Sequence, residues 1–242
     1  MSALTNSFLA AILVSLTTLT GIVTLFFTKR FLDNIVSILI ALSTGTLLGA
    51  AFLDLLPEAS EVLATESIFT YLLAGIIVFF LVERLLFWYH CHDGKCDSHK
   101  TMPYMILFGD AVHTFIDGVV IAATFLTDTT LGIAATLAIV LHELPHELSD
   151  FFVLIYSGFS RAKALFYNLL VASMHFVGIA VTYYFYIRSE SQIAYLLPIA
   201  AGGFIYIALA DLMPELHKEV NFKKIFLQLV LMFVGIYLIT II

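Results

Sequence analysis

Two short stretches concentrate the ionisable residues of this chain, "HTFIDG" at 113–118 and "HELPHELSD" at 142–150. The first offers His113, Thr114 and Asp117, with Asp110 one turn upstream. The second offers His142, Glu143, His146, Glu147 and Asp150, and His175 follows further along. Imidazole suits zinc, copper, iron and nickel, while a carboxylate adds negative charge and accommodates manganese or iron. On a helix, His113/Asp117 and His142/His146 are i, i+4 pairs that present two donors on one face. The chemistry these residues suit is divalent transition-metal binding. The competing reading is a buried polar network or proton relay that ties helices together. For His175 alone that reading is the stronger one. For the whole set it is weaker, because each charged group is costly at the depth these groups must occupy.

That depth follows from the composition. The chain has 242 residues, 61% hydrophobic and 12% charged, against roughly 25% charged in soluble domains. Eight stretches are apolar enough to span a membrane, near 4–28, 35–56, 67–89, 102–127, 129–157, 163–187, 191–213 and 222–242. They are joined by short connections, so the expected fold is an all-α integral membrane bundle, a single transporter-sized domain over 1–242. No cleaved presequence is expected, since the first apolar stretch is long and lacks a basic leader. Spans 4, 5 and 6 carry their ionisable groups at mid-depth. Span 1, and span 8 beyond Lys223 and Lys224 at its start, carry no charge, which leaves them for lipid or for a second copy, as in a homodimer. Pro145 lacks an N–H, so the carbonyl of Leu141 loses its usual partner and span 5 is expected to kink.

Orientation is read from the basic residues. Odd-numbered connections hold Lys29, Arg30, Arg84, Lys95, Lys100, Arg161, Lys163, Lys218, Lys223 and Lys224, while even-numbered ones hold only Arg188. The positive-inside rule then places the odd connections in the cytoplasm and both termini outside. "DLLPE" at 54–58 closes span 2 and "DLMPE" at 211–215 closes span 7, after glycines at 45 and 202. Because the two spans run in opposite directions, the match suggests inverted repeats, spans 1–3 against 6–8 around spans 4–5.

The paired motifs resemble those of the ZIP family of divalent-metal transporters, in the subgroup whose fifth span reads HExPHExGD. "GDAVH" at 109–113 and "ALADLMPEL" at 208–216 fit the same subgroup. The resemblance implies a two-metal centre. Its first site would use His113, Asp117, His142 and His146; its second would use the Thr114 position, Glu143 and His175, with Asp117 and His146 able to bridge. Thr114 replaces the family's usual Asn and Ser149 its usual Gly. Glu147 and Asp150 would line the exit with Asp110, and Asp54, Glu58, Asp211, Glu215 and His217 would mark the pathway. The implied cargo is Zn2+, with Fe2+, Mn2+ and Cd2+ as further candidates, and no catalytic cofactor, ATP or nucleic acid is implied. The His/Cys-containing cytoplasmic loop at 88–101 adds His90, Cys91, His92, Cys96 and His99, which have no recognised finger spacing.

Two other classes compete. "HELPH" satisfies H-E-x-x-H, in which Glu143 would be the general base of an intramembrane zinc metalloprotease. Pro145 inside that motif, and an Asp-Gly element that precedes it rather than following it, argue against that class. A metal-sensing receptor would require an output domain. Metal import into the cytoplasm is the expectation, with the short connections pointing to a prokaryotic inner membrane.

Overall fold

The computed structural model describes residues 2–23, 29–88, 98–187 and 194–241. Every regular element among them is helical. Seven helical stretches are long and apolar enough to cross a membrane: Ala3–Ile22, Asn34–Val62, Thr65–Val82, Leu107–Thr127, Arg161–Tyr186, Leu196–Leu216 and Phe222–Thr240. The remaining helix, Thr129–Tyr156, is also long enough, and it is the one that carries the HELPHELSD motif. These are spans 1–8 in chain order, with Thr129–Tyr156 as span 5. Serine and threonine hydroxyls inside the spans turn back onto carbonyls of the preceding turn, as Thr44 does to Ile40, Thr124 to Val120 and Thr182 to Gly178. A hydroxyl in an apolar medium is thus satisfied within its own helix.

Spans 4 and 5 form a tight hairpin. Asp128 is the only residue between them; its carboxylate accepts from the N–H groups of Thr130 at 2.7 Å and Leu131 at 3.2 Å and caps span 5. These hydrogen bonds, led by that of Leu131, hold its pKa below the usual aspartate value. Ser160 and Asn221 cap spans 6 and 8 in the same way.

The remaining spans pack around this hairpin through glycines. A Cβ on Gly45 would lie 2.0 Å from the carbonyl oxygen of Met232, and one on Gly235 would lie 2.4 Å from that of Leu42, so spans 2 and 8 cross backbone to backbone. Spans 3 and 7 cross likewise, with Gly75 against Ile199 and Gly202 against Leu72. In each crossing the glycine meets the carbonyl three residues before the partner glycine. Two turns of π-helix, Ala50–Leu55 and Ile207–Leu212, interrupt spans 2 and 7 just ahead of their prolines, and they contain Asp54 and Asp211.

One expectation needs correction. Span 1 does not lie wholly outside the bundle. Ser7, Ala10, Ala11, Val14, Thr17 and Thr18 are buried, and the span packs on spans 4, 5 and 6. It is uncharged, but its small and hydroxylic residues allow close approach and hydrogen bonding. Span 5 runs as one helix from Thr129 to Tyr156 with Pro145 inside it. In place of the N–H that Pro145 lacks, the Ser43 hydroxyl of span 2 lies 2.6 Å from the carbonyl of Leu141. Span 8 does sit at the periphery, burying only Gln228, Gly235 and Ile239.

Candidate metal centre

The i, i+4 spacing on span 4 brings His113 and Asp117 to the face that meets span 5, where His142 and Glu143 point back. One donor atom from each of these four residues lies within 4.8 Å of all the others. His113 Nε2 is 3.1 Å from His142 Nε2, and His142 Nε2 is 3.2 Å from Asp117 Oδ2. Glu143 Oε1 lies 3.4 Å from His113 Nε2 and 3.5 Å from His142 Nε2, and His113 Nε2 lies 3.8 Å from Asp117 Oδ2. A tetrahedral zinc with bonds of about 2.0–2.1 Å has donor–donor edges of roughly 3.3 Å. The spacing fits such an ion. Two imidazoles and two carboxylates would also balance a divalent charge in a buried setting, where an unpaired charge is costly.

Polar satisfaction points the same way. Asp117 Oδ2 and Glu143 Oε1 are buried without a hydrogen-bond partner. His142 Nδ1 lies 3.0 Å from the Ala138 carbonyl, which accepts its proton and turns the Nε2 lone pair towards the cluster. His175 repeats the device: Nδ1 sits 2.9 Å from the Ala172 carbonyl and leaves Nε2 buried and unpartnered. His146 Nε2 is unpartnered as well, and its ring centroid stands 5.6 Å from that of His113 and 6.2 Å from that of His142.

The grouping differs from the one the resemblance implied. Glu143, assigned there to the second site, joins His113, Asp117 and His142, while His146 lies outside that quartet. The reason is rotational: adjacent residues on a helix stand about 100° apart, and span 4 approaches the edge of span 5 between His142 and Glu143. Thr114 is buried, but its hydroxyl donates weakly to Asp110 Oδ1 at 3.5 Å and does not join the quartet.

The remaining expected residues are dispersed. Asp110 and Asp150 are half-buried and approach one another towards the lower end of spans 4 and 5. Asp54 and Glu58 are half-buried at the far end of span 2, and Asp54 Oδ2 lacks a partner. Asp211 lies in the π-turn of span 7, and Glu215, beyond it, pairs with Lys218 at the surface near exposed His217. Glu147 has both oxygens engaged, accepting from Thr18 Oγ1 at 2.6 Å and Asn168 Nδ2 at 3.2 Å. His90, Cys91, His92 and Cys96 lie outside the described residues, and His99 stands at the start of the span 4 helix.

Four supporting residues escaped the sequence reading: Ser15, Thr18, Ser43 and Asn168. Their available signal was polarity inside an apolar span, as in "SLTTLT" at 15–20, "LSTGT" at 42–46 and the single amide of "FYNLL" at 166–170.

The family model described as ZIP Zinc transporter matches residues 89–242. Among curated proteins, the orangutan (Pongo abelii) zinc transporter ZIP13 is 31% identical over 214 residues, 82% of this chain and 64% of that protein. Human zinc transporter ZIP4 is 43% identical over 119 residues, 49% of this chain and 18% of that protein. The Caenorhabditis elegans zinc transporter zipt-7.2 is 28% identical over 264 residues, 84% of this chain and 57% of that protein. The chain thus spans less than two thirds of the length of these relatives. All three are animal proteins, so a prokaryotic membrane draws no support from them.

Proposed function

The chain belongs to the ZIP zinc transporter family, and from that premise we propose that this multi-pass membrane protein carries divalent transition-metal ions, zinc foremost, into the cytoplasm. The observation that carries the proposal is the quartet of His113, Asp117, His142 and Glu143, in which each imidazole nitrogen stands 3.1–3.8 Å from the other and from both carboxylates, a spacing that suits a tetrahedral ion. A cargo site must release what it binds, so a mid-membrane site made of side chains from two abutting helices suits transport.

The route is built from the same frame. Acidic Asp54, Glu58, Glu61 and Glu66 on the outer side attract cations towards the spans. The quartet receives the ion, and the unpartnered Nε2 atoms of His146 and His175 offer a second position beside it. Thr114 is the weakest member of that second position, since its hydroxyl already faces Asp110. Below Pro145 a cavity of about 390 Å³ opens between spans 2, 5 and 7, lined by Ser37, Ser149 and Glu215 among others. With the basic connections inside, that cavity faces the cytoplasm and supports release there.

The paired glycine crossings and paired π-turns support an inverted repeat that exchanges span 2 with span 7 and span 3 with span 8. A proteolytic reading is disfavoured by the quartet itself. In an H-E-x-x-H protease both histidines bind the metal and the glutamate stays free as base. Here Glu143 joins the donor cluster and His146 does not.

Uptake of zinc-65 into proteoliposomes, with and without an opposing proton gradient, tests the proposal. Saturable uptake that iron, manganese or cadmium competes for is the expected result. Absence of metal-dependent uptake by folded protein refutes it.

A further inference from the structure

Glu147 was expected to line an exit, yet it is 5% exposed and both of its carboxylate oxygens are occupied by donors from two other spans. Thr18 donates to Oε1 from span 1, and Asn168 donates to Oε2 from span 6. Both donors are fully buried. An ion in transit would have to displace them. We infer that Glu147 is a positioning residue, a clamp that fastens spans 1 and 6, each interrupted along its length, onto the span that bears the candidate metal centre.

The breaks themselves carry the argument. Span 1 passes into 3-10 helix over Leu16–Leu19, and Thr18 belongs to that segment. Span 6 is divided at Ser173 into Arg161–Ala172 and Met174–Tyr186. Such interruptions leave carbonyls free and weaken the helix locally, so the geometry must be held from outside. Here the two breaks hold one another: the Ser15 hydroxyl donates to the Ala172 carbonyl at 3.3 Å and approaches His175 Nδ1 at 3.4 Å. Asn168 and His175 lie on either side of the break at Ser173, five residues before it and two after, and are 0% and 1% exposed. A carboxylate that fixes Asn168 holds the segment before the break, and the Ser15 hydroxyl links Ala172, at the end of that segment, to the ring of His175 beyond it.

A clamp and a conducting carboxylate respond differently to one substitution. Asn168 Oδ1 has no partner. In Glu147→Gln the new amide can accept from Thr18 and donate to Asn168 Oδ1 once the Asn168 amide turns over. The clamp survives without its charge. Glu147→Ala removes both bonds and strands two buried donors.

The inference rests on the transport reading only for its uptake arm. The full chain in proteoliposomes or nanodiscs, as wild type, Glu147→Gln and Glu147→Ala, is compared by hydrogen–deuterium exchange and by zinc-65 uptake. Glu147→Ala should speed exchange about tenfold over 15–19 and 168–175, with Glu147→Gln within about twofold of wild type. Uptake should follow the same order. Where Glu147→Ala does not fold, Thr18→Val keeps the side-chain shape, removes one donor and should loosen 15–19 alone. The clamp is overturned if exchange in both segments is unchanged by Glu147→Ala or Thr18→Val, or if Glu147→Gln loses uptake as completely as Glu147→Ala. Wild-type protein that carries no zinc would sink the transport reading, while the exchange comparison would still decide the clamp.

Discussion

The Nε2 atoms of His113 and His142 stand 3.1 Å apart across the spans 4–5 interface, and the Nδ1 of His142 is tied to the Ala138 carbonyl. Two ring nitrogens so close, with two carboxylate oxygens beside them, form a candidate cation site in which each donor depends on the others for compensation.

Loss of any quartet donor should therefore be severe. His113→Ala, His142→Ala or Glu143→Ala should reduce zinc uptake at least about 100-fold, because a ligand lost from the ion costs several kcal/mol. Thr114→Ala should reduce it far less, since the hydroxyl faces Asp110. Initial rates of zinc-65 uptake at matched protein levels measure both. Equal losses for Thr114→Ala and His142→Ala would show that the hydroxyl binds the ion.

Selectivity should turn on His142. Replacing its imidazole by a carboxylate in His142→Glu supplies a harder oxygen donor and should raise manganese and iron uptake relative to zinc. It also sets a third carboxylate beside Asp117 and Glu143, so total uptake should fall. Competition among zinc, manganese and ferrous iron reads the change. An unaltered preference order would remove His142 as the selectivity determinant.

Ser43 completes span 5 from outside. Its hydroxyl reaches the Leu141 carbonyl that Pro145 leaves unpaired, one residue from His142. Ser43→Ala should lower stability by about 1–3 kcal/mol, the cost of a buried unsatisfied carbonyl. Thermal unfolding in detergent, read alongside zinc affinity, checks this, and no change in either would mean that water replaces the hydroxyl.

The glycine crossings leave no room for a methyl group. Gly45→Ala and Gly202→Ala would bring a Cβ within 2.0 Å and 2.3 Å of backbone oxygens on the facing helix. Each should destabilise the bundle by about 2–4 kcal/mol and lower folded yield, as overpacking at backbone contacts does. Gly158, with φ +91° and nothing near its Cβ position, tests a different limit. Gly158→Ala should cost only about 1 kcal/mol of backbone strain. Size-exclusion yield and melting temperature separate the two cases.

The cap on span 5 should titrate. Hydrogen bonds from Leu131 and Thr130 lower the pKa of Asp128 below its ordinary 3.8. A lowered folded value means that the stabilisation is present above pH 4 and is lost as pH falls through the folded value. Asp128→Asn still caps the helix but does not titrate. The stability difference between wild type and Asp128→Asn should therefore shrink between about pH 5 and pH 2. A constant difference over that range would show that ionisation of Asp128 is irrelevant to the cap.

Much of this protein was determined by its sequence alone. Long apolar runs require spanning helices, because lipid satisfies no backbone polar group. His113, Asp117, His142 and Glu143 were legible as metal-binding candidates because ionisable groups at mid-depth need a reason to be there. The family was legible in the same two motifs. Only the tertiary structure decided which four donors meet, since that depends on the rotation of span 4 against span 5 and not on spacing along either. It also decided that Glu143 joins His142 in place of His146. Span 1 looked like a lipid-facing helix because hydroxyls and alanines carry no charge signal. Its burial, and the reach of Thr18 to Glu147 and of Ser43 to Leu141, depend on helix crossings between residues about 100 or more positions apart. Helical periodicity reports which residues share a face; which face another helix covers is set by packing, and here by glycines that let backbones touch.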